Sequence, residues 1–140
     1  MPYTVKHDPA LDLIEVFYSG LVTGADLRDA TSACAVLQRE KGTTRFLVDS
    51  TAWDLRASIV DVFEITESQY VKEGFSKEAR IAIVLPTSPK SLEVARFYET
   101  ACQNRGWNAR LWPNRQSAIE WLCAHHSASQ SGTARDSSRQ

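Results

Sequence analysis

Arg45-Phe46-Leu47-Val48-Asp49 and Arg80-Ile81-Ala82-Ile83-Val84-Leu85 are two compact apolar runs, too short for helices and lacking the alternation of a strand with one wet face. Such runs suit strands buried on both sides, within a sheet that carries helices above and below. Between them, Ser58 and Asp61 have the spacing of a helix start, and Ile59, Phe63, Thr66 and Tyr70 recur at intervals of 4, 3 and 4 before Gly74. Strand, helix and strand in this order form a parallel unit, and the rest of the chain is read outward from it.

Upstream, residues 3–7 and 11–18 are rich in Tyr, Val, Ile, Leu and Phe and flank the turn-forming Asp8-Pro9 pair, which predicts an opening hairpin. In its second strand Ile14, Val16 and Tyr18 share one face and Leu13, Glu15 and Phe17 the other, and Ser19-Gly20 is expected to break it. Thr23 with Asp26 marks a helix start, and Leu27, Ala30, Cys34 and Leu37 carry an amphipathic stripe up to Gly42. Downstream, the Thr87-Ser88-Pro89 cluster leads into a helix whose inner arc holds Val94, Ala95, Tyr98, Ala101 and Cys102, closed by Gly106. Trp107 to Trp112 reads as a fifth strand, and Pro113-Asn114 introduces a last helix with Ala118, Ile119, Trp121 and Leu122. The order is β-β-α-β-α-β-α-β-α: a mixed, mostly parallel five-stranded α/β sheet with four helices over residues 1–126. Residues 127–140 hold no aliphatic side chain larger than alanine and no aromatic one, so a disordered C-terminal tail is expected there.

Composition narrows the function. Sixteen basic against 17 acidic side chains leave a net charge of −1, so no electrostatic excess points to nucleic acid or an anionic membrane. The longest apolar runs are far short of a bilayer span, and Lys6, His7, Asp8, Asp12 and Glu15 interrupt the first twenty residues, so neither membrane insertion nor a secretory signal is expected. A cytoplasmic protein is the reading. Cys34, Cys102 and Cys123 are odd in number and contain no paired spacing, which predicts reduced thiols, Cys34 and Cys102 as small buried hydrophobes. His125 and His126 point in different directions on a helix, and Cys123 with His126 lacks nearby carboxylates, so no metal is expected. Nucleophile-elbow, phosphate-loop and dinucleotide glycine motifs are all missing, so neither an enzyme nor a cofactor is expected.

The opening hairpin, the Tyr18-Ser19-Gly20-Leu21-Val22-Thr23 turn, the strand end Phe46-Leu47-Val48-Asp49-Ser50 and the closing Ala118-Ile119-Glu120-Trp121-Leu122 together resemble the STAS domain. This is the fold of bacterial anti-sigma-factor antagonists, and the likeness is greatest to stand-alone STAS-like relatives similar to lipid-binding CRAL-TRIO domains. The resemblance implies that Asp49, Ser50 and Thr51 occupy the partner-switch turn, where a serine is phosphorylated to break contact with a partner kinase. Ala52 stands where that turn has glycine, and the next helix starts only at Ser58, which departs from the pattern. The plainer account of Ser50 and Thr51 is hydroxyl capping of backbone groups after a strand. Residues 49–56 and 86–91 read as hydroxyl-rich loops at strand carboxyl ends, and in the second Thr87, Ser88 and Lys90 are able either to cradle an anion or simply to cap the following helix.

Helix two holds an apolar surplus. Val62 and Ile65 fall off its expected buried face, with Trp53 and Leu55 nearby, which makes these four a candidate interaction face. Two functional expectations follow. The first is a non-catalytic STAS-like regulatory module that binds a protein partner, possibly itself as a homodimer. The alternative is a carrier or sensor of a small apolar or lipid-like ligand, enclosed between helices two and three and the sheet.

Overall fold

A computed structural model of the chain describes residues 2–124. The expected tail over 127–140 lies outside the described residues, as do His125 and His126. Strands β1 (Tyr3–Asp8), β2 (Leu13–Val22), β3 (Arg45–Leu55), β4 (Arg80–Val84) and β5 (Asn108–Trp112) make one sheet in sequential order. β1 runs antiparallel to β2, and the other neighbours are parallel. The helices are α1 (Gly24–Lys41), α2 (residues 59–72), α3 (Pro89–Asn104) and α4 (Arg115–Cys123). This is the mixed five-stranded, four-helix architecture that the order of apolar runs implied.

Three successive crossovers advance in one direction across the sheet, and their common right-handedness sets α1, α2 and α3 on the same face. There Ile14, Val16 and Tyr18 of β2 pack with Phe46, Ile81 and Ile83 beneath the three helices. After the edge strand β5 the chain turns back, and α4 covers the other face, Ala118 and Leu122 meeting Leu13, Leu47, Ala82 and Val84. The two-residue repeat of β2 thus sorts its side chains as expected. Glu15, on the α4 face, is buried, and Arg115 at the start of α4 grips both of its carboxylate oxygens. A charge so enclosed is tolerated because its partner is bidentate.

Local chemistry fixes the helix starts. Thr23 Oγ1 accepts the Asp26 N–H at 3.2 Å while the Asp26 carboxylate accepts the Thr23 N–H at 2.9 Å, and Ser58 with Asp61 repeats the arrangement at α2. Ser88 and Asn114 cap α3 and α4 through the N–H groups of Ser91 and Ser117. Gly42 ends α1 at φ 72°, a left-handed turn that lets its N–H reach the Gln38 carbonyl at 2.8 Å. At the other end of α1, Gly24 sits so close to Asp61 that a Cβ would lie 2.6 Å from the carboxylate carbon. That contact, with the Arg28–Asp61 pair at 3.1 Å, joins the amino ends of α1 and α2.

Two expectations need correction. Ser19-Gly20 does not end β2: a register shift between Phe17 and Ser19 absorbs the pair, and Ser19–Val22 goes on to pair with Ala52–Leu55. The stretch from Asp49 to Leu55, polar enough to read as a loop, is therefore strand. The second correction concerns α2, which runs as α-helix over Ile59–Glu64, π-helix over Ile65–Gln69 and α-helix over Tyr70–Lys72. The extra residue in the π turn rotates the faces relative to a 3.6-residue repeat. Val62, Ile65, Thr66 and Tyr70 face inward, whereas Ile59 and Phe63, expected inside, are 47% and 39% exposed.

α3 also guards one of the two edges of the sheet, that of β5. Leu111 N–H donates to Glu99 Oε2 at 3.0 Å, and Gln103 Nε2 donates to the Ala109 carbonyl at 3.1 Å, so side chains occupy backbone groups that a further strand would use.

Candidate functional site

The space between the sheet and the three helices on its face is not completely filled. It holds a cavity of about 100 Å³. Val16, Tyr18, Phe46, Val48, Ile81 and Ile83 form its floor, and Leu27, Ala30 and Cys34 of α1 form one wall. Val62, Ile65 and Tyr70 of α2 and Val94, Ala95 and Tyr98 of α3 complete the roof, with Trp53 and Trp107 also lining it. Ala30 of α1 and Ala95 of α3 each contribute a single methyl to the wall, which leaves space that larger side chains would fill.

Among the described residues no charged side chain lines the cavity. Its polar side-chain atoms are hydroxyls, the Cys34 thiol and indole N–H groups. The Tyr70 and Tyr98 hydroxyls bond to each other at 2.5 Å, and Trp107 Nε1–H donates to the Thr66 carbonyl at 3.3 Å, within the π turn. Thr31 Oγ1 is committed to the Leu27 carbonyl at 2.8 Å. Of the described residues that line the cavity, Trp53 has its Nε1–H shut away from solvent without an acceptor, and the hydroxyl of neighbouring Tyr18 makes no hydrogen bond among the described residues. Their rings meet at a tilt of 45°, with centroids 5.1 Å apart. Burial pushes the Tyr18, Tyr70 and Tyr98 hydroxyls above their usual range and the Cys34 thiol up to about 12. All stay neutral at physiological pH, so the environment disfavours negative charge.

The roof is held by polar links where α1 meets α2. Ser32 donates to Glu73, Gln69 Nε2 donates to the Arg28 carbonyl at 3.0 Å, and Arg39 Nη1 donates to the Glu73 carbonyl at 3.2 Å. Bonding to Ser32, then to Gln69, holds the Glu73 carboxyl below the usual range. The Ser58 backbone N–H, aided by the Ser58 hydroxyl and Arg28, does the same for Asp61.

The residues singled out from sequence fall in different places. Leu55, Val62 and Ile65 do not form an interaction face: each is at least 95% buried and turned into the cavity by the β2–β3 extension and the π turn, and half-buried Trp53 joins them. The exposed apolar side chains of α2 are instead Ile59, Val60, Phe63 and Val71. Asp49 and Thr51 come together, Thr51 Oγ1 donating to Asp49 Oδ1 at 2.7 Å. Ser50 is fully buried and donates to the Val84 carbonyl at 2.6 Å, so it ties β3 to β4. Ser88 caps α3, while Thr87 and Lys90 are exposed beside it. Among the described residues no three His, Cys, Asp or Glu side chains gather around one point. The described helices include none long and apolar enough to cross a membrane.

The fold has a solved counterpart: an uncharacterized protein of the DUF3478 family with a SpoIIAA-like fold, from Shewanella loihica PV-4. It aligns over 86% of this chain and 92% of its own, at a TM-score of 0.53 and 17% identity. The fold is SpoIIAA-like. STAS-like architecture, inferred above from the hairpin and the β-α-β order, is thus shared with a solved structure at an identity that speaks to fold alone. No protein-family model and no curated protein sequence matches the chain. Within the SpoIIAA-like frame, sequence reasoning missed the small residues opposite large ones. Ala30 and Ala95 at inward helical positions, against Tyr18, Tyr70 and Tyr98, were the available signal.

Proposed function

We propose that this chain is a non-catalytic STAS-like module that takes up a small apolar molecule in its interior, as a carrier or sensor. The cavity beneath α1, α2 and α3 carries the reading. A closed core of natural packing density leaves few voids larger than a water, and this one is apolar, continuous and walled by three helices. The partly exposed helix that roofs it has a π turn and polar links to α1, so loading can be transmitted to the surface. Native mass spectrometry of the freshly purified protein tests the proposal. A co-purifying small molecule, or a stable adduct with an added apolar compound, supports it. A clean unliganded mass together with no change in the melting temperature across a panel of such compounds removes it.

A second reading is favoured by one separate observation. Ile59, Val60 and Phe63 expose 47%, 63% and 39% of their surface along one stretch of α2, with the Arg105 guanidinium 4.4 Å above the Phe63 ring. Such a patch suits a protein partner or a second copy of the chain, and a regulatory role in the cytoplasm would follow. Thr51, at the end of the switch-like Asp49-Ser50-Thr51 segment, is the more accessible hydroxyl for phosphorylation. Light scattering decides between copies: a concentration-independent monomer mass, unchanged by Val60→Glu, removes self-association.

A further inference from the structure

The polar atoms lining the cavity are unbalanced in kind. Hydrogen-bond donors there lack acceptors, and the surplus sits at one end, where the Tyr18 and Trp53 rings meet at a tilt with centroids 5.1 Å apart. Tyr18 is 95% buried, lines the cavity and bonds to no acceptor among the described residues. Trp53 Nε1–H, also among the lining side chains, is buried and equally without an acceptor. Elsewhere the polar atoms of the wall are satisfied internally, as at Tyr70–Tyr98, Thr31–Leu27 and Trp107–Thr66. A buried donor left unpaired is destabilising, and of the buried unpaired side-chain atoms among the described residues, Gln38 Oε1, Trp53 Nε1, Gln69 Oε1 and Trp112 Nε1, only that of Trp53 belongs to a residue lining the cavity, so a partner for it has to come from the cavity.

Resting on the proposal that the cavity is a ligand site, we infer that its ligand is a small uncharged molecule carrying a single acceptor oxygen, such as a ketone, aldehyde, ester or ether, with that oxygen on the Tyr18 hydroxyl. Three features of the wall select this class. Among the described residues no Lys, Arg or His lines the space, so a carboxylate or phosphate would be buried without a counter-charge. The absence of lining carboxylates argues in the same way against an amine. Size sets the last limit: an engineered apolar cavity of about 150 Å³ accepts benzene, so this smaller one of about 100 Å³ takes a molecule of no more than about six heavy atoms. The raised hydroxyls of Tyr18, Tyr70 and Tyr98 agree, since they keep their protons and act as donors throughout the physiological range.

Three probes of six heavy atoms each test the inference: cyclopentanone, its isosteric hydrocarbon methylenecyclopentane, and the anion butanoate. Each is titrated at pH 7 into the full-length protein and into Tyr18→Phe, followed by amide chemical shifts. The expected result is that cyclopentanone binds, that Tyr18→Phe weakens it about five- to tenfold, and that the hydrocarbon's affinity is the same in both proteins. The carboxylate is expected not to bind. The hydrocarbon serves as the control for folding of the variant, because it needs the cavity and not the hydroxyl. If ketone and hydrocarbon bind and neither responds to Tyr18→Phe, the cavity is a ligand site and the acceptor inference is wrong. Preferential binding of the carboxylate overturns the inference as well. If none of the three binds, the ligand-site reading falls together with the inference.

Discussion

Ala30→Val fills part of the cavity with the protein's own atoms, and the structure sets the size of the effect. Ala30 is fully buried and lines the void. At about 24 cal/mol per Å³, an empty volume of about 100 Å³ costs the fold about 2.4 kcal/mol. Valine adds two methyl groups, worth about 1.6 kcal/mol if both settle into the gap, against about half a kcal/mol lost to its poorer helix propensity. The variant is therefore expected to gain about 1 kcal/mol. With a urea m-value of about 2 kcal/mol/M, the midpoint rises by about half a molar. Binding of a small apolar ligand should fall at the same time, because the added methyls stand where the ligand would. Urea unfolding and ligand titration on the same samples read both effects. A variant less stable than the parent by 1 kcal/mol or more, with ligand affinity intact, would refute the reasoning: the space beside Ala30 would then be neither vacant nor the site. Ala95→Val, from α3, makes the same prediction independently.

Acid should loosen the roof. Asp61 and Glu73 have lowered values in the folded state, so their contribution is complete above the ordinary carboxylate range near pH ~4 and is lost as pH falls through their folded values. Urea midpoints between pH 6 and 2.5 should decline, and Asp61→Asn with Glu73→Gln should start lower and decline less; parallel curves would exclude these two groups as the cause. Burial raises the Cys34 and Cys102 thiols to about 12, so iodoacetamide at pH 8 should label only Cys123 in folded protein and all three in urea, read by mass. Rapid labelling of Cys34 in native buffer would mean that water reaches the cavity freely. Ser50→Asp buries an unpaired carboxylate and removes the bond to the Val84 carbonyl, and should cost about 3 kcal/mol or more, whereas Thr51→Asp should stay within about 1 kcal/mol. Equal urea midpoints for the two variants would contradict the placement of Ser50.

What could be read from sequence was the chemistry settled within a few residues. Thr23 with Asp26 and Ser58 with Asp61 close their capping boxes across three positions, and Gly42 ends a helix through a bond to Gln38, so the letters alone carried the signal. The sorting of Leu13 and Glu15 from Ile14 and Val16 was equally local. What escaped depends on distant pairing. Ser19-Gly20 looks like a strand end until Ala52 and Trp53 supply partners, and Leu55 becomes interior for the same reason. In α2 the 4, 3, 4 spacing assumed an unbroken α repeat, and the π turn moved Val62 and Ile65 inside while leaving Ile59 and Phe63 in solvent. Ser50 looked like an available hydroxyl, and only β4 reveals that it is sealed. A void has no letters of its own, which is why the candidate site was legible only as a place between helices and sheet.

Glu99 and Gln103 restrict how copies of this chain can meet. Because their side chains already occupy Leu111 N–H and the Ala109 carbonyl, a neighbour cannot extend the β-ladder past β5 without first breaking both bonds. Assembly by sheet continuation is opposed at that margin, which leaves the opposite edge, β1, and the helical surfaces as routes to a defined complex, and growth through β1 alone stops at a pair.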